Sequence, residues 1–435
     1  MLRGFMDKKT RLFAFLGVPV IVLCSMTKVQ ALTLEQVIKH TLTSSPEILS
    51  SRQQLQGRKN EITGVKAGYL PSLDLELGIG RESTESPATD GRDIELTRKE
   101  SALRLRQLIY DGSATSSEID RQKARYNSQL YDMEATRQKV ALRVTEVYIN
   151  ALKQSELLQL FSSSLSAHQN IHDQMSLRSQ AGVGSRSDLD QITARLALAK
   201  SNYIVGRNNL QDAVSNFYGV VGYLPESSTM ERPPSLTLTG TLESSLQVAF
   251  ANHPQLKSAD ADIKVAEAQY RASKSAFHPT ITLEGDHTSN EDIDGTEGTN
   301  EDWVIALRLR YNLYRGGGDV ARKAQTAELI GEAQQIRAAT KRQVEEGLRL
   351  SWDAYTFTKQ QIQFLTVYVD SVVATREAYQ KQFDIGRRSL LDLLNTENEV
   401  LDAKSNFLNA DYDSLFAQYR LVQAKGNLTN ELNIK

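Results

Sequence analysis

The chain has 435 residues, a formal net charge of −2 and 24% charged residues. That near-neutral balance points to no nucleic-acid partner. The single cysteine, Cys24, lies in an N-terminal apolar stretch. Once that stretch is removed, disulfides, thiolate catalysis and cysteine-based zinc sites are excluded.

Residues 1–31 read as an export signal. Arg3, Lys8, Lys9 and Arg11 form its basic region, Leu12–Cys24 its apolar core and Val29-Gln30-Ala31 its cleavage site. Leu23, ahead of Cys24, is not the small residue that lipid attachment requires, which favours a cysteine lost with the leader over an acylation site. No later run of about 18 apolar residues exists, so no membrane-spanning helix is expected. A membrane β-barrel, whose strands alternate, would escape that test.

The remaining chain reads as a tandem duplication, 32–221 and 241–435, with 222–240 as a linker carrying Pro225, Pro233 and Pro234. Thr33–Ile48 resembles Thr241–Leu256. Pro46 matches Pro254 and Pro71 matches Pro279 at an offset of 208. LIYDG (Leu108–Gly112) matches NLYRG (Asn312–Gly316) at 204. Val183–Ile192 matches Ile385–Leu394 at 202, pairing Gly184 with Gly386, Ser187 with Ser389 and Asp190 with Asp392.

Each repeat runs helix, strand, strand, long helix, turn, helix. Thr33–Tyr69 and Thr241–Phe277 are helical patterns, the first interrupted near Pro46. Strict alternation predicts strands at Leu73–Ile79 and Leu103–Gln107, and at Ile281–Glu284 and Ile305–Leu313 in the second copy. The proline-free patterns Ser113–Ala181 and Gly318–Phe383 predict helices on the order of 100 Å long, too long for a compact domain. The return helices repeat apolar residues at spacings of three and four. The first seam runs Leu189, Ile192, Leu196, Ala199 and on to Val220. The second, 202 residues later, runs Leu391, Leu394, Asn398, Leu401 and on to Val422. Such a seam predicts coiled-coil packing. Two short helices stacked end to end are expected to match each long one.

The strands place Leu73, Leu75, Leu77, Leu103, Leu105, Ile305, Leu307 and Leu309 on one face. Asp74, Glu76, Arg104, Arg106, Glu284, Arg308 and Arg310 fall on the other. The pattern alone suits an amphipathic sheet over a core or a barrel wall in lipid. Export, and the lack of another segment to supply a core, favour the wall. Four strands cannot close a barrel, and lipid does not tolerate open edges, so several chains must share it. Three copies would give twelve strands.

With these features placed, the chain resembles the TolC-like outer-membrane channels of bacterial efflux and type I secretion. The resemblance rests on the duplication, Pro71 and Pro279, the junctions Tyr110-Asp-Gly112 and Tyr314-Arg-Gly316, and the turns at Gly184 and Gly386. It implies an α+β membrane protein, with a long coiled-coil α-helical barrel in the periplasm and a trimer-shared twelve-stranded β-barrel in the outer membrane. It implies no enzyme activity and no cofactor. The partners would be two further copies of the chain, a periplasmic adaptor (membrane fusion protein) and an inner-membrane ABC-type or other pump. The glycine-rich junction and missing lipidation site look like the type I secretion branch, hence a passive duct for a large protein such as an adhesin. The alternatives are multidrug or metal efflux and, in another class, a periplasmic coiled-coil adaptor or scaffold without a pore.

The same resemblance implies a periplasmic gate. Asp392 matches a first acidic ring, while Asn395 falls on the second, a departure. Arg388 matches a basic gate residue with Asp190 as its partner, and Phe383 falls where a tyrosine is usual. Asp190 and Asp392 also suit helix N-termini through the dipole alone. Gly316–Gly318 lacks the Lys-Ser/Thr of a phosphate loop and reads as a strand-to-helix junction. Asn290-x-Asp292-x-Asp294-Gly295 followed by Glu301 is nearly a calcium loop, or an acidic solvated loop. His168 and His172 lie one turn apart without a third ligand, so no metal site is expected. Trp303 is placed at the start of a strand near the membrane interface, and Trp352 in helix packing. No catalytic constellation is found.

Overall fold

A computed structural model describes residues 32–225 and 230–434; the leader reading and Cys24 lie outside them. Helix α1 (Leu34–Ser44) opens on a capping box between Thr33 and Gln36, and α2 (Pro46–Lys66) opens on a proline at its first position. A proline disfavours the helical region for the residue before it. Accordingly Leu70, ahead of Pro71, takes ψ 155, and His278, ahead of Pro279, takes ψ 153. Both helical segments thereby turn into strands. Strands β1 (Ser72–Thr84) and β2 (Ile94–Tyr110) lead into α3 (Ala114–Gln180) and α4 (Arg186–Val221). The second copy repeats the order with α5 (Leu242–Asn252), α6 (Pro254–Ser273), β3 (Thr280–Ile293), β4 (Thr296–Arg310), α7 (Gly318–Asp384), α8 (Leu390–Ala424) and the short α9 (Leu428–Glu431).

The four strands form one antiparallel sheet in the order β1-β2-β3-β4, leaving β1 and β4 as open edges. Cross-strand rows such as Leu73–Leu105–Gly285–Ile305 and Leu75–Leu103–His287–Trp303 form the apolar face. None of the described residues covers that face: Leu77 is 72% exposed and Ile305 70%. The opposite face carries ion pairs, Arg104 with Glu76 and with Asp286 (3.8 Å), and Arg98 with Glu82 (3.0 Å). A sheet covering an internal core is therefore excluded. Strand β4 ends at Arg310 rather than Leu313. Its last partner, Thr280, directly follows Pro279, so no ladder remains for Tyr311–Leu313. Trp303 lies mid-strand, at the outer margin of the apolar band, and not at the strand's start.

Helices α3 and α7 are 67 residues each, on the order of 100 Å. Along α3, α2 and α4 pack on one side and α6 and α8 on the other; α6 and α8 also pack on α7. Short helices thus pair end to end against the long ones, as their lengths require. No described helix is long and apolar enough to cross a membrane.

The equatorial core lies halfway down α3. Tyr148, Phe217, Tyr412 and Tyr419 are fully buried there, among Val37, Ile38, Val144 and Leu428. Residues 230–236 strap across it. The Tyr148 hydroxyl donates between the carbonyls of Leu32 and Glu231 (2.6 Å each), and that of Tyr419 donates to Pro234 (2.8 Å). Arg232 pairs with Asp411 (2.7 Å) and lies over the Tyr412 ring. Burial pushes the Tyr148 and Tyr419 hydroxyls well above the usual tyrosine range, so both remain donors.

The repeat register of the hairpins is 204, not 202. At 204 the buried seam of α4 from Ile192 to Phe217 falls on Thr396, Val400, Ala403, Ala410, Ala417 and Leu421, all buried. The seam expected from Leu391 onward is a second stripe. Leu391 itself is exposed, while Tyr412, Leu415, Tyr419 and Val422 pack into the core with α3. Helix α8 serves two neighbours, so two stripes of its sequence are apolar.

Candidate functional site at the hairpin tips

The two hairpin turns lie a full long helix away from the sheet. In each, a left-handed glycine ends the long helix: Gly182 (φ 71) and Gly386 (φ 76). The next N–H reaches back to the helix, Val183 to Arg178 (3.1 Å) and Arg387 to Gln382 (2.8 Å), the Schellman pattern. Ser185 and Ser389 then cap the return helices. Gly182, rather than Gly184, is thus the structural counterpart of Gly386, and Asp188 the counterpart of Asp392. Gly184 is small for another reason: a Cβ there would lie 2.9 Å from the Ser179 nitrogen.

Phe383 is buried in an apolar knot with Ile171, Met175, Ile192, Leu390, Leu393 and Leu394, joining both hairpins. The Arg178 guanidinium lies 5.3 Å from its ring centre. Arg388 lies 3.7 Å from the ring centre of Tyr379 and 3.7 Å from the Asp392 carboxylate. Its Nε is buried without a hydrogen-bond partner. Asp190 is exposed on α4, and within one chain it makes no ion pair among the described residues. Asn395 accepts a hydrogen bond from Arg195 across the hairpins (3.1 Å). Arg376 lies 3.5 Å from Glu397.

Sequence reasoning missed Arg178, Arg195 and Tyr379. The basic residues act on partners about 200 positions away, and no local signal marks such pairs. Tyr379 had one faint signal, an aromatic one turn before Phe383 on the same helix face.

Between the knot and the equatorial core, α3 and α8 are separated by an open cleft of about 510 Å³, lined in part by Ser155, Gln159, Ser163 and Lys404. The two hairpins are therefore fastened at both ends of this stretch and loosely in the middle.

At the sheet end, Gly112 (φ 67) and Gly316 (φ 60) match in conformation as well as position. A Cβ on Gly112 would lie 2.6 Å from that of His278, so only glycine fits. The calcium-loop pattern is not a loop. Asn290 and Glu291 pair with Asn300 and Thr299 in the β3–β4 ladder, and the turn is confined to Asp294-Gly295. Ladder geometry fixes the would-be ligands on two strands instead of wrapping them around an ion. His168 is buried with its Nδ1 2.9 Å from the Ser164 carbonyl, and His172 lies 3.2 Å from Asp173. No metal-binding group of three or more ligands occurs among the described residues.

The family model for the outer membrane efflux protein matches the chain twice, over 37–223 and 245–427. The outer membrane efflux protein BepC of Brucella suis is 23% identical over 91% of this chain and 86% of its own. The alkaline protease secretion protein AprF of Pseudomonas aeruginosa is 24% identical over 87% and 81%. The crystal structure of the outer membrane protein VceC of Vibrio cholerae superposes with a TM-score of 0.77 at 15% identity, covering 90% of this chain and 96% of VceC.

Proposed function

Because the chain belongs to the outer membrane efflux protein family, we propose that it is the outer-membrane duct of a type I secretion machine, carrying a large protein such as an adhesin. It sits in the outer membrane with its helical barrel in the periplasm, and its four strands are one share of a trimeric β-barrel. It is the channel of a tripartite export system, working with an adaptor and an inner-membrane pump. The alternative of a pore-less adaptor is set aside by this membership.

The observation that supports secretion is the similarity to AprF across most of both chains, together with Leu23 ahead of Cys24. The similarity to BepC keeps efflux as the second reading. Deleting the gene should remove one large protein from the medium and leave drug tolerance unchanged. An unaltered secreted set with increased drug sensitivity would transfer the assignment to efflux.

The gate is read at the hairpin tips. In the closed trimer Arg388, whose Nε has no partner in the single chain, exchanges its long contact to Asp392 for Asp190 of a neighbouring copy. Phe383 holds the two hairpins together beneath it. Arg388→Ala and Asp190→Ala should each raise conductance in planar bilayers; unchanged conductance in both refutes the latch. Asp392→Ala should weaken block by polyvalent cations.

A further inference from the structure

The first repeat has a strand end that the second lacks. The β1–β2 ladder closes at Ser72–Arg106, yet β2 runs on to Tyr110 because β3 takes it up. Gln107 pairs with Leu283, Leu108 with Thr282 and Tyr110 with Ile281. Strand β4 carries nearly the same residues 204 positions later, LRLRYNLYRG (Leu307–Gly316) against LRLRQLIYDG (Leu103–Gly112). Its ladder with β3 closes at the equivalent pair, Thr280–Arg310. There the strand stops, because no fifth strand among the described residues takes it up. The residues beyond are bare: Leu313 is 86% exposed and Tyr314 82%, against 55% and 40% for their counterparts Ile109 and Tyr110. A Cβ on Gly316 would meet nothing within 4 Å, whereas Gly112 is closed in by His278.

We propose that the seam between copies repeats the β2–β3 seam residue for residue. Strand β1 carries the β3 positions 208 earlier, with Pro71 for Pro279 and Glu76 for Glu284. With both offsets applied, β4 pairs antiparallel with β1 of the neighbouring copy. Arg310 stands opposite Glu76, as Arg106 stands opposite Glu284 within the chain. Tyr311 stands opposite Leu75, Asn312 opposite Asp74 and Tyr314 opposite Leu73, and Gly316 lies against Leu70. This register keeps like faces together, with Arg310 and Glu76 on the charged face and Tyr311 and Leu75 on the apolar one. Unpaired edge N–H and C=O groups are not tolerated in lipid, so the pairing continues past Arg310. The inference rests on the shared-barrel reading and names how the copies join.

Cysteine pairs across the seam test it, since the chain has no cysteine beyond Cys24. Directly opposed Cβ atoms lie about 5 Å apart and those displaced by two residues about 7–8 Å, so a short bis-alkylating thiol reagent separates the registers. In outer membranes, Arg310→Cys with Glu76→Cys should give covalent trimers on denaturing gels. Arg310→Cys with Asp74→Cys, or with Gly78→Cys, should give about tenfold less. Arg106→Cys with Glu284→Cys, the internal counterpart, should link within one chain and give no oligomer. Linkage through Asp74 or Gly78 as strong as through Glu76 overturns the register, and so does its absence through Glu76. Unaltered protein that an amine-reactive cross-linker finds only as monomers overturns the shared-barrel reading itself, and the register with it.

Discussion

Helices α3 and α7 have the same length and the same place in their repeats, yet α3 buries 19 residues and α7 only six. The reason is position. Helix α3 is flanked on both sides by α2, α4, α6 and α8, whereas α7 has α6 and α8 along it and only the short α5 besides. Helix α4 is the other free edge of the hairpin layer. Duplication gave both repeats the same local folds, but a row of helices must have two ends. The uncovered sides of α4 and α7, like the open edges β1 and β4, are completed by neighbouring copies. Along α7 the residues left bare, Leu350, Phe357 and Phe364, are spaced by seven, and Phe364 is 76% exposed.

The sharpest way to break this asymmetry is a charge on the free edge. Phe364→Asp should abolish the trimer, since a carboxylate buried in that seam costs several kcal/mol per copy. Size-exclusion chromatography with light scattering would show a folded monomer. A stable trimer would mean that α7 is not an assembly edge.

Next comes the paired truncation of Tyr148 and its repeat counterpart Trp352. Tyr148 is fully buried under the strap, whereas Trp352 is only partly buried beside the core of the second repeat. Tyr148→Ala should cost about 3–5 kcal/mol, and Trp352→Ala clearly less, in denaturant melts of the trimer. Equal losses would contradict the difference in burial.

A third contrast is titratable. His253 joins α5 to α6 where the first repeat has Ser45. Burial pushes its imidazole down to about 4, and its Nδ1 has no partner. Above pH ~6.5 the site is neutral in both folded and unfolded chains. Below that, the unfolded imidazole takes a proton that the folded one refuses until about pH 4. Stability is therefore lost as pH falls through this window, by roughly 3 kcal/mol. Melting the trimer at pH 7 and pH 4.5 should show the loss, and His253→Ser should reduce it.

The smallest effect tests the hairpin seams. Gly206 accommodates Phe161, which a Cβ would meet at 2.6 Å; the second repeat has Ala410 and Leu365 at these positions. Gly206→Ala should destabilise by about 1–3 kcal/mol, and adding Phe161→Leu should recover most of it. No recovery would show that the two hairpins do not pack alike.

Much of this molecule was legible in the sequence. Pro71 and Pro279 stop helices through the residue before them, alternation assigns the sheet faces, and proline-free patterns set the long helices to within a residue or two. The hairpin-tip constellation was legible only in part. Gly386, Ser389 and Asp392 form a local cap that the sequence displays. Asn395, by contrast, acquires its meaning from Arg195 on another helix, and Phe383 acquires its meaning from a knot with three other helices.

The sequence by itself determined what depends on neighbours a few residues away: the caps, the strand starts, the hairpin turns, the period of the seams and the repeat. The tertiary structure alone decided which repeat register is real, which face of α8 meets which helix, that the calcium-like pattern is a β-ladder, and which side chains at the hairpin tips pair. Local backbone sterics act over a few residues and leave a readable pattern. Pairings across about 200 residues are set by how whole helices pack, and that packing is not written at any one position.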